Sequence, residues 1–224
     1  MTTSQIIDLS DEISIKTQAF FHQNINNNTV HELLSENNRL CSKQIAIPEQ
    51  IHSEKVQYIK YPGNYNEVDG LITDNPKIVL TLKVADCVPI YLYIPDSKIF
   101  GLVHSGWRGT VNGIIENTIG IISAMTKDIK NLRVLLGPAI GFCCYEVGSE
   151  VADNFTEGAK RKIDNGKWHI GLHEEIVIQL VSMGISVDNI KTINVCTFEN
   201  HQFHSYRRDG LKSGRMVAFM GMQK

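Results

Sequence analysis

Residues 84–109, VADCVPIYLYIPDSKIFGLVHSGWRG, contain two apolar segments around which the predicted fold is arranged. Apolar residues 88–94 and 99–103 flank a turn-forming tract, Pro-Asp-Ser-Lys. Two apolar runs separated in this way predict a hairpin of buried strands. Cys87, preceded by Asp86, lies where the first strand begins, and His104 lies where the second ends. Antiparallel pairing would therefore place Cys87 and His104 side by side at one rim of a sheet.

A thiol and an imidazole at this rim suit two kinds of chemistry. Both are zinc ligands, and three protein ligands with an open fourth position are typical of a catalytic zinc site. Cys87 and His104 could equally act as nucleophile and base in a metal-free Cys–His hydrolase. A free cysteine is also often only a small buried apolar residue. The residues alone leave these alternatives open.

The mixed order of predicted strands and helices, without an internal repeat or a domain linker, favours one α/β (α+β) domain over residues 1–224. With 42% hydrophobic residues, the chain can build a core without disulfides or a metal. A formal charge of -2 argues against a nucleic-acid partner. No apolar run approaches the roughly 20 residues of a membrane span. Five cysteines and an N-terminus without a secretion-signal pattern predict reduced thiols. We expect a cytoplasmic protein that forms a monomer or a weak homo-oligomer.

Apolar periodicity predicts further elements around the hairpin. Helices are predicted over most of residues 5–45 and over residues 110–125, 151–163 and 172–183. Strands are predicted within residues 45–56, where one would carry His52, and at residues 78–84, 132–136, 193–196 and 215–220. A lone histidine such as His52 is more often a hydrogen-bonded residue than a ligand. Polar clusters fall at strand ends, where sites commonly gather.

Two aromatic or basic pairs are candidates for substrate contacts at the same rim. Trp107 and Arg108 follow the second hairpin strand, and Arg207 and Arg208 lie near the C-terminus. The guanidinium fork suits phosphate or carboxylate, and an indole ring offers a face for a purine or a phenol. A surface ion pair with a neighbouring acid such as Asp209 is the alternative interpretation.

Four motifs in this order resemble a known family: VADCVPI, GLVHSGWRGT, GPAIGFCCYEVG and CTFENHQFHSYRRDG followed by GRM. Together they are similar to the YfiH-type family, described both as multicopper polyphenol oxidoreductase (laccase-domain) proteins and as purine nucleoside phosphorylases. The similarity runs from about residue 38 to residue 219. It implies a layered sandwich of the CNF/YfiH kind, in which mixed central β-sheets are covered by helices.

The resemblance also implies a site and an activity. His52, Cys87 and His104 correspond to the family's metal ligands, which implies bound zinc. The implied reaction is phosphorolysis of purine nucleosides (adenosine, inosine, guanosine or methylthioadenosine), accompanied by adenosine deamination. We predict Cys87, His104, Asp86 and Arg108 as catalytic residues. The residues predicted to bind the purine nucleoside and phosphate are Trp107, Tyr145, Arg207 and Arg208.

Two alternatives to this function are a copper-dependent polyphenol oxidase and the Cys–His hydrolase. A multicopper centre normally needs many histidines, whereas few are placed for one here. The hydrolase interpretation predicts a metal-free site with a readily alkylated thiol of low pKa.

Overall fold

Two six-stranded mixed sheets form the centre of the computed structural model, which describes residues 6–13, 17–22, 30 and 44–222. In spatial order, the first sheet consists of β1 (Ile6–Asp8), β2 (Thr17–His22), β15 (Met216–Met222), β7 (Ile78–Val84), β3 (Gln44–Pro48) and β5 (Gly63–Tyr65). Its β7, β3 and β5 strands pair in parallel and the others antiparallel.

The second sheet contains the predicted hairpin at its middle. In spatial order its strands are β14 (Ile190–Thr192), β10 (Arg133–Leu136), β8 (Val88–Ile94), β9 (Ile99–Ser105), β6 (Gly70–Thr73) and β4 (Val56–Tyr58). β8 and β9 pair antiparallel from Val88 opposite Ser105 to Ile94 opposite Ile99. The hairpin prediction is therefore confirmed. A small third sheet consists of β11 (Glu146–Val147), β13 (Trp168–Ile170) and β12 (Lys160–Lys162).

The hairpin is apolar throughout because both of its faces are buried. Side chains alternate between the faces of a strand, so Tyr91 and Phe100 point between the two sheets. Leu92 and Val103 point to the opposite face, where helices cover the second sheet. The layers are thus sheet, sheet and helices, which confirms the predicted mixed α/β fold.

Two helices of more than ten residues accompany several short ones in the described ranges. They are α1 (Ser10–Ile13), α2 (Trp107–Val111), α3 (Ile114–Met125), α4 (Ser149–Ala152), α5 (Leu172–Ser182) and α6 (Tyr206–Asp209). On α3 the buried residues Ile115, Ile119 and Ile122 recur at helical spacing, as the sequence predicted. The predicted helix 110–125 is broken, however, because Gly113 adopts φ 94 between α2 and α3.

Four local predictions are wrong where tertiary pairing overrides local periodicity. In the described part of residues 5–45, only residues 10–13 and residue 30 are helical. The rest is mainly strand, because β2 pairs with both β1 and β15 and β3 begins at Gln44. The rest of that range lies outside the described residues. β3 ends at Pro48, so His52 lies in a loop. Helix α4 is short and is followed by strand β12, which pairs with β13. Residues 193–196 follow β14 and form no strand; they pair with the chain after β10 through an isolated bridge of Cys196 with Ala139.

None of the helices in the described ranges has the length and apolar character that crossing a membrane would require.

Candidate metal centre and substrate cavity

Cys87 and His104 lie together at one rim of the second sheet. Cys87 immediately precedes β8, and His104 lies on β9 opposite Pro89. His104 is buried on the face toward the first sheet, whereas Cys87 is half-buried and borders two cavities. The hairpin register therefore brings the thiol beside the imidazole.

His52 completes a three-ligand group with these two residues. Its ligand atom and those of Cys87 and His104 all lie within 4.8 Å of one another. The two imidazole rings meet edge to face, with centroids 4.8 Å apart. His52 has a left-handed backbone, φ 62, which costs a non-glycine residue roughly 1–2 kcal/mol. Such a conformation persists only where neighbouring contacts fix it.

Asp69, immediately before β6, supplies those contacts and was missed by the sequence reasoning. One carboxylate oxygen accepts hydrogen bonds from the backbone N–H of His52 (3.0 Å) and from His104 Nδ1 (2.8 Å). The other accepts from the N–H groups of Ile51 (3.2 Å) and Ser53 (2.7 Å) and from Ser53 Oγ (2.8 Å). Asp69 is fully buried. A single acidic residue thus fixes both the His52 loop and the His104 ring.

The charges of this group are coupled. Burial raises the pKa of Asp69, but hydrogen bonds from His104 and Ser53 outweigh burial and lower this pKa to about 2. Asp69 is therefore ionised at neutral pH and can only accept, so His104 Nδ1 carries a proton. Burial also opposes charge on Cys87 and His104, yet their mutual attraction prevails. The pKa of Cys87 falls to about 6, while Cys87 and Asp69 raise the pKa of His104 to about 9.

Two glycines permit close packing around the ligands. A Cβ on Gly106 would lie 2.8 Å from Cys87 Sγ and 3.3 Å from the His52 ring. A Cβ on Gly109 would lie 2.9 Å from the carbonyl oxygen of Ser53, so α2 packs directly on the His52 loop. The motif HSGWRG therefore supplies one ligand and the space for the other two.

A cavity of about 280 Å³ opens beside Cys87 and His52. Trp107, Arg108, Tyr145 and Arg207, all predicted from the sequence as site residues, line it. The Arg108 guanidinium carbon lies 4.4 Å from the centre of the Trp107 ring, and that of Arg207 lies 4.9 Å from the Tyr145 ring. Arg207 also donates a hydrogen bond to the Glu146 carbonyl. Two cationic groups and two aromatic faces thus surround one space.

Asp86 and Arg208 are placed differently from these cavity residues. Asp86 borders the cavity, but its carboxylate accepts hydrogen bonds from Thr197 Oγ1 (2.6 Å) and the Arg207 N–H (2.8 Å). It thereby fixes the C-terminal loop to the rim. Arg208 is not among the cavity residues; it donates to the carbonyls of Thr197 (2.9 Å), Phe198 (3.0 Å) and Phe203 (2.8 Å).

The protein is thus of the mixed α/β class and carries a candidate metal site. Two imidazoles and a thiol form this site at a sheet rim, beside a cavity lined by arginines. The chain belongs to the family described as multi-copper polyphenol oxidoreductase laccase, whose model matches residues 21–223.

The relatives found by sequence carry a different description. The chain is 32% identical to the purine nucleoside phosphorylase YlmD of Geobacillus stearothermophilus, over 84% of this chain and 78% of that protein. It is 34% identical to a purine nucleoside phosphorylase of Clostridium acetobutylicum, with 80% and 77% covered.

Solved structures show the same fold. Geobacillus stearothermophilus YlmD superimposes with a TM-score of 0.85 at 27% identity, covering 94% of this chain and 93% of that one. The hypothetical protein YfiH of Bacillus licheniformis gives a TM-score of 0.82 at 26% identity, with 92% and 93% covered. These similarities confirm the YfiH-type resemblance that the four motifs indicate.

Proposed function

We propose that this protein is a zinc-dependent purine nucleoside phosphorylase. The observation that carries the proposal is the convergence of His52, Cys87 and His104 beside a cavity lined by Arg108 and Arg207. Relatives named purine nucleoside phosphorylase support the same activity. Phosphorolysis forms a bond between a phosphate oxygen and ribose C1′. It breaks the bond between C1′ and the purine nitrogen, and that bond's electrons leave with the base.

The donor set fits zinc. Two imidazoles and one thiolate lie within 4.8 Å of one another, and Asp69 holds His104 with Nδ1 protonated so that Nε2 remains available. Three protein ligands would leave a position open, as in catalytic zinc sites. Zinc held there would supply Lewis acidity toward an oxygen or nitrogen of the substrate.

The residues of the cavity would bind and orient the two substrates. Arg108 and Arg207 supply positive charge for phosphate, and a guanidinium binds phosphate oxygens in pairs. Trp107 and Tyr145 supply aromatic faces for the purine. Burial raises the pKa of Tyr145 to about 12, so its hydroxyl keeps its proton at neutral pH and can donate a hydrogen bond. Each guanidinium stacks on one of these rings, so the groups proposed to bind phosphate lie next to the groups proposed to bind the purine.

We further propose adenosine deamination as a second reaction of the same site, in which water replaces the amino group at C6 and ammonia leaves. Deamination requires no phosphate, whereas base release by phosphorolysis does. Ammonia and free base, measured with and without phosphate, therefore separate the two reactions.

Copper-dependent phenol oxidation has less support. Among the described residues, the groupings close enough to hold an ion are the His52 group and a cysteine-rich group that contains no histidine. A multicopper centre normally requires several more histidines. Metal-free cysteine chemistry is the stronger alternative, because the opposed pKa shifts of Cys87 and His104 would form a thiolate–imidazolium pair.

The proposal is tested with inosine and phosphate. Zinc-loaded protein is expected to release hypoxanthine and ribose 1-phosphate, and the chelated protein is expected to lose this activity and regain it with zinc. His52→Ala should abolish turnover and zinc binding at the His52, Cys87 and His104 group, whereas the exposed His201→Ala should preserve both. Ribose instead of ribose 1-phosphate would show hydrolysis. Activity unaffected by chelation, together with rapid inactivation by alkylation of Cys87, would replace the zinc enzyme with the Cys–His hydrolase.

A further inference from the structure

Three of the cysteines meet away from the His52 group and play no part in the proposed reaction. Cys143, Cys144, Cys196 and the carboxylate of Glu199 have ligand atoms that all lie within 4.8 Å of one another. Cys143 and Glu199 are exposed, while Cys144 and Cys196 are half-buried. The group is therefore open to an ion from solvent while part of it lies within the protein.

Two loops of the fold bring this group together. The loop after β10 carries Cys143 and Cys144, and the chain after β14 carries Cys196. The loops are joined by a parallel bridge at Ala139 and by a hydrogen bond of 3.0 Å from the Thr197 N–H to the Ala139 carbonyl. The thiols are thus brought together by backbone pairing across residues distant in the sequence.

Gly141 allows the two loops to pack closely, because it has no side chain. Its N–H donates to Cys196 Sγ over 3.2 Å. A Cβ at this position would lie 3.1 Å from Cys143 Sγ and 3.2 Å from Cys196 Cβ. Burial raises the pKa of Cys196, but N–H groups of Glu199, Gly141 and Phe198 outweigh burial and lower it, whereas burial keeps the pKa of Cys143 and of Cys144 above the usual value. Backbone donors of this kind stabilise a thiolate.

We propose that Cys143, Cys144, Cys196 and Glu199 form a second, structural zinc site. Thiolates are soft ligands that select zinc or copper(I) over hard cations. A carboxylate as the fourth ligand, beside three thiolates, favours zinc. Four protein ligands would close the coordination sphere, which is typical of structural rather than catalytic zinc. The site is thus chemically distinct from the three-ligand group at the rim.

The ligand spacing is close to that of tetrahedral zinc. Zinc–sulfur bonds of about 2.3 Å place tetrahedral sulfur atoms about 3.8 Å apart. All four ligand atoms lie within 4.8 Å, and the sulfur atoms of Cys143 and Cys144 are 3.0 Å apart. Binding therefore needs movements of about 1 Å, which side-chain rotation on the exposed loop can provide.

Zinc at this position would stabilise one wall of the substrate cavity. Tyr145 follows Cys144 directly and lines the cavity. Thr197 follows Cys196 directly and donates to Asp86 at the rim. An ion bridging the two loops would fix both neighbours without contacting the substrate. The inference concerns stability and does not depend on the proposed phosphorylase activity.

Metal stoichiometry in a reciprocal set of variants tests the proposal. Reduced protein reconstituted with zinc and freed of loose metal is expected to hold two zinc ions per chain. Cys143→Ser combined with Cys196→Ser should remove the ion of the cysteine site and leave that of the rim site. Cys87→Ser should remove the ion of the rim site and leave that of the cysteine site. Glu199→Gln should weaken the second site, while the exposed Glu157→Gln serves as its matched control. A double variant that holds as many zinc ions as the wild type would overturn the proposal, whatever the effect of Cys87→Ser. A wild type with one ion that Cys87→Ser removes and the double variant keeps would overturn it as well.

If the double variant does not fold, protection of the thiols from alkylation tests the second zinc site in wild-type protein. Alkylation followed by peptide mass spectrometry is expected to show that zinc slows modification of Cys143, Cys144 and Cys196 at least tenfold. Equal modification with and without zinc would refute the site. A disulfide between Cys196 and either neighbour that survives reducing conditions and prevents zinc uptake would also refute it.

Discussion

Replacing Asp69 with asparagine tests whether one buried carboxylate organises the rim site. The change preserves size but turns one acceptor oxygen into a donor NH₂ group. An NH₂ group in place of the oxygen bonded to Ile51 and Ser53 would face two backbone N–H groups. In place of the other oxygen it would face one backbone N–H, that of His52, and His104 Nδ1. The second orientation has fewer conflicts, so we expect the asparagine to donate to His104.

That orientation reverses the tautomer of His104. Nδ1 must then accept, so the ring proton moves to Nε2 and the nitrogen available to a metal is lost. Loss of a group that orients a ligand typically costs 10–100-fold in metal affinity, or about 1.4–2.8 kcal/mol. The charge-assisted hydrogen bond from the His52 N–H is lost, and this donor then faces an NH₂ group, which together cost about 3 kcal/mol of folding stability. For a chain of this size, 3 kcal/mol lowers Tm by roughly 6–12 °C.

The assay is zinc affinity by competition with a chelator, read together with the His104 tautomer by nitrogen NMR and with Tm. Asp74→Asn is the matched control, because Asp74 lies just beyond the other end of β6, is exposed, and bonds only outside the site, to the Tyr58 hydroxyl. Zinc affinity within twofold of the wild type, with His104 Nδ1 still protonated, would refute the role given to Asp69.

Further predictions concern charge at the rim. In metal-free protein, alkylation of Cys87 should rise with a midpoint near pH 6, and His104→Asn should move that midpoint upward. Arg207→Ala should raise KM for phosphate about 10–100-fold with little change in Tm, whereas Arg208→Ala should lower Tm because three carbonyls lose their donor. Folding lowers the pKa of Asp69 from 3.8 to about 2, so the ionised carboxylate stabilises the folded state above pH 3.8. This stabilisation is lost as the pH falls toward about 2. Urea titrations in this range should show a smaller pH dependence for Asp69→Asn.

The hairpin was predictable because its apolar runs and turn are local features. Residues 84–109 contain both strands, and antiparallel pairing of adjacent strands leaves essentially one register once the turn is short. The juxtaposition of Cys87 and His104 followed from that register. Helix α5 was predictable for the same reason, since its apolar face repeats within eleven residues. Residues 151–163 failed because their structure is set by the pairing of β12 with β13, which local periodicity does not encode.

The roles of Asp69 and of the two C-terminal arginines depend on distances that no local pattern contains. Asp69 lies in a short tract, Val-Asp-Gly, that resembles an ordinary loop, yet it is buried and accepts five hydrogen bonds. A buried carboxylate persists only where donors converge on it, so its burial implies a function as an organiser. Arg207 and Arg208 are adjacent and chemically equal. They lie on α6, where successive side chains point about 100° apart, so Arg207 borders the cavity while Arg208 meets the loop carbonyls. This difference in direction between two adjacent side chains is not visible in the sequence, and it is the reason that, of the two, only Arg207 is proposed to bind phosphate.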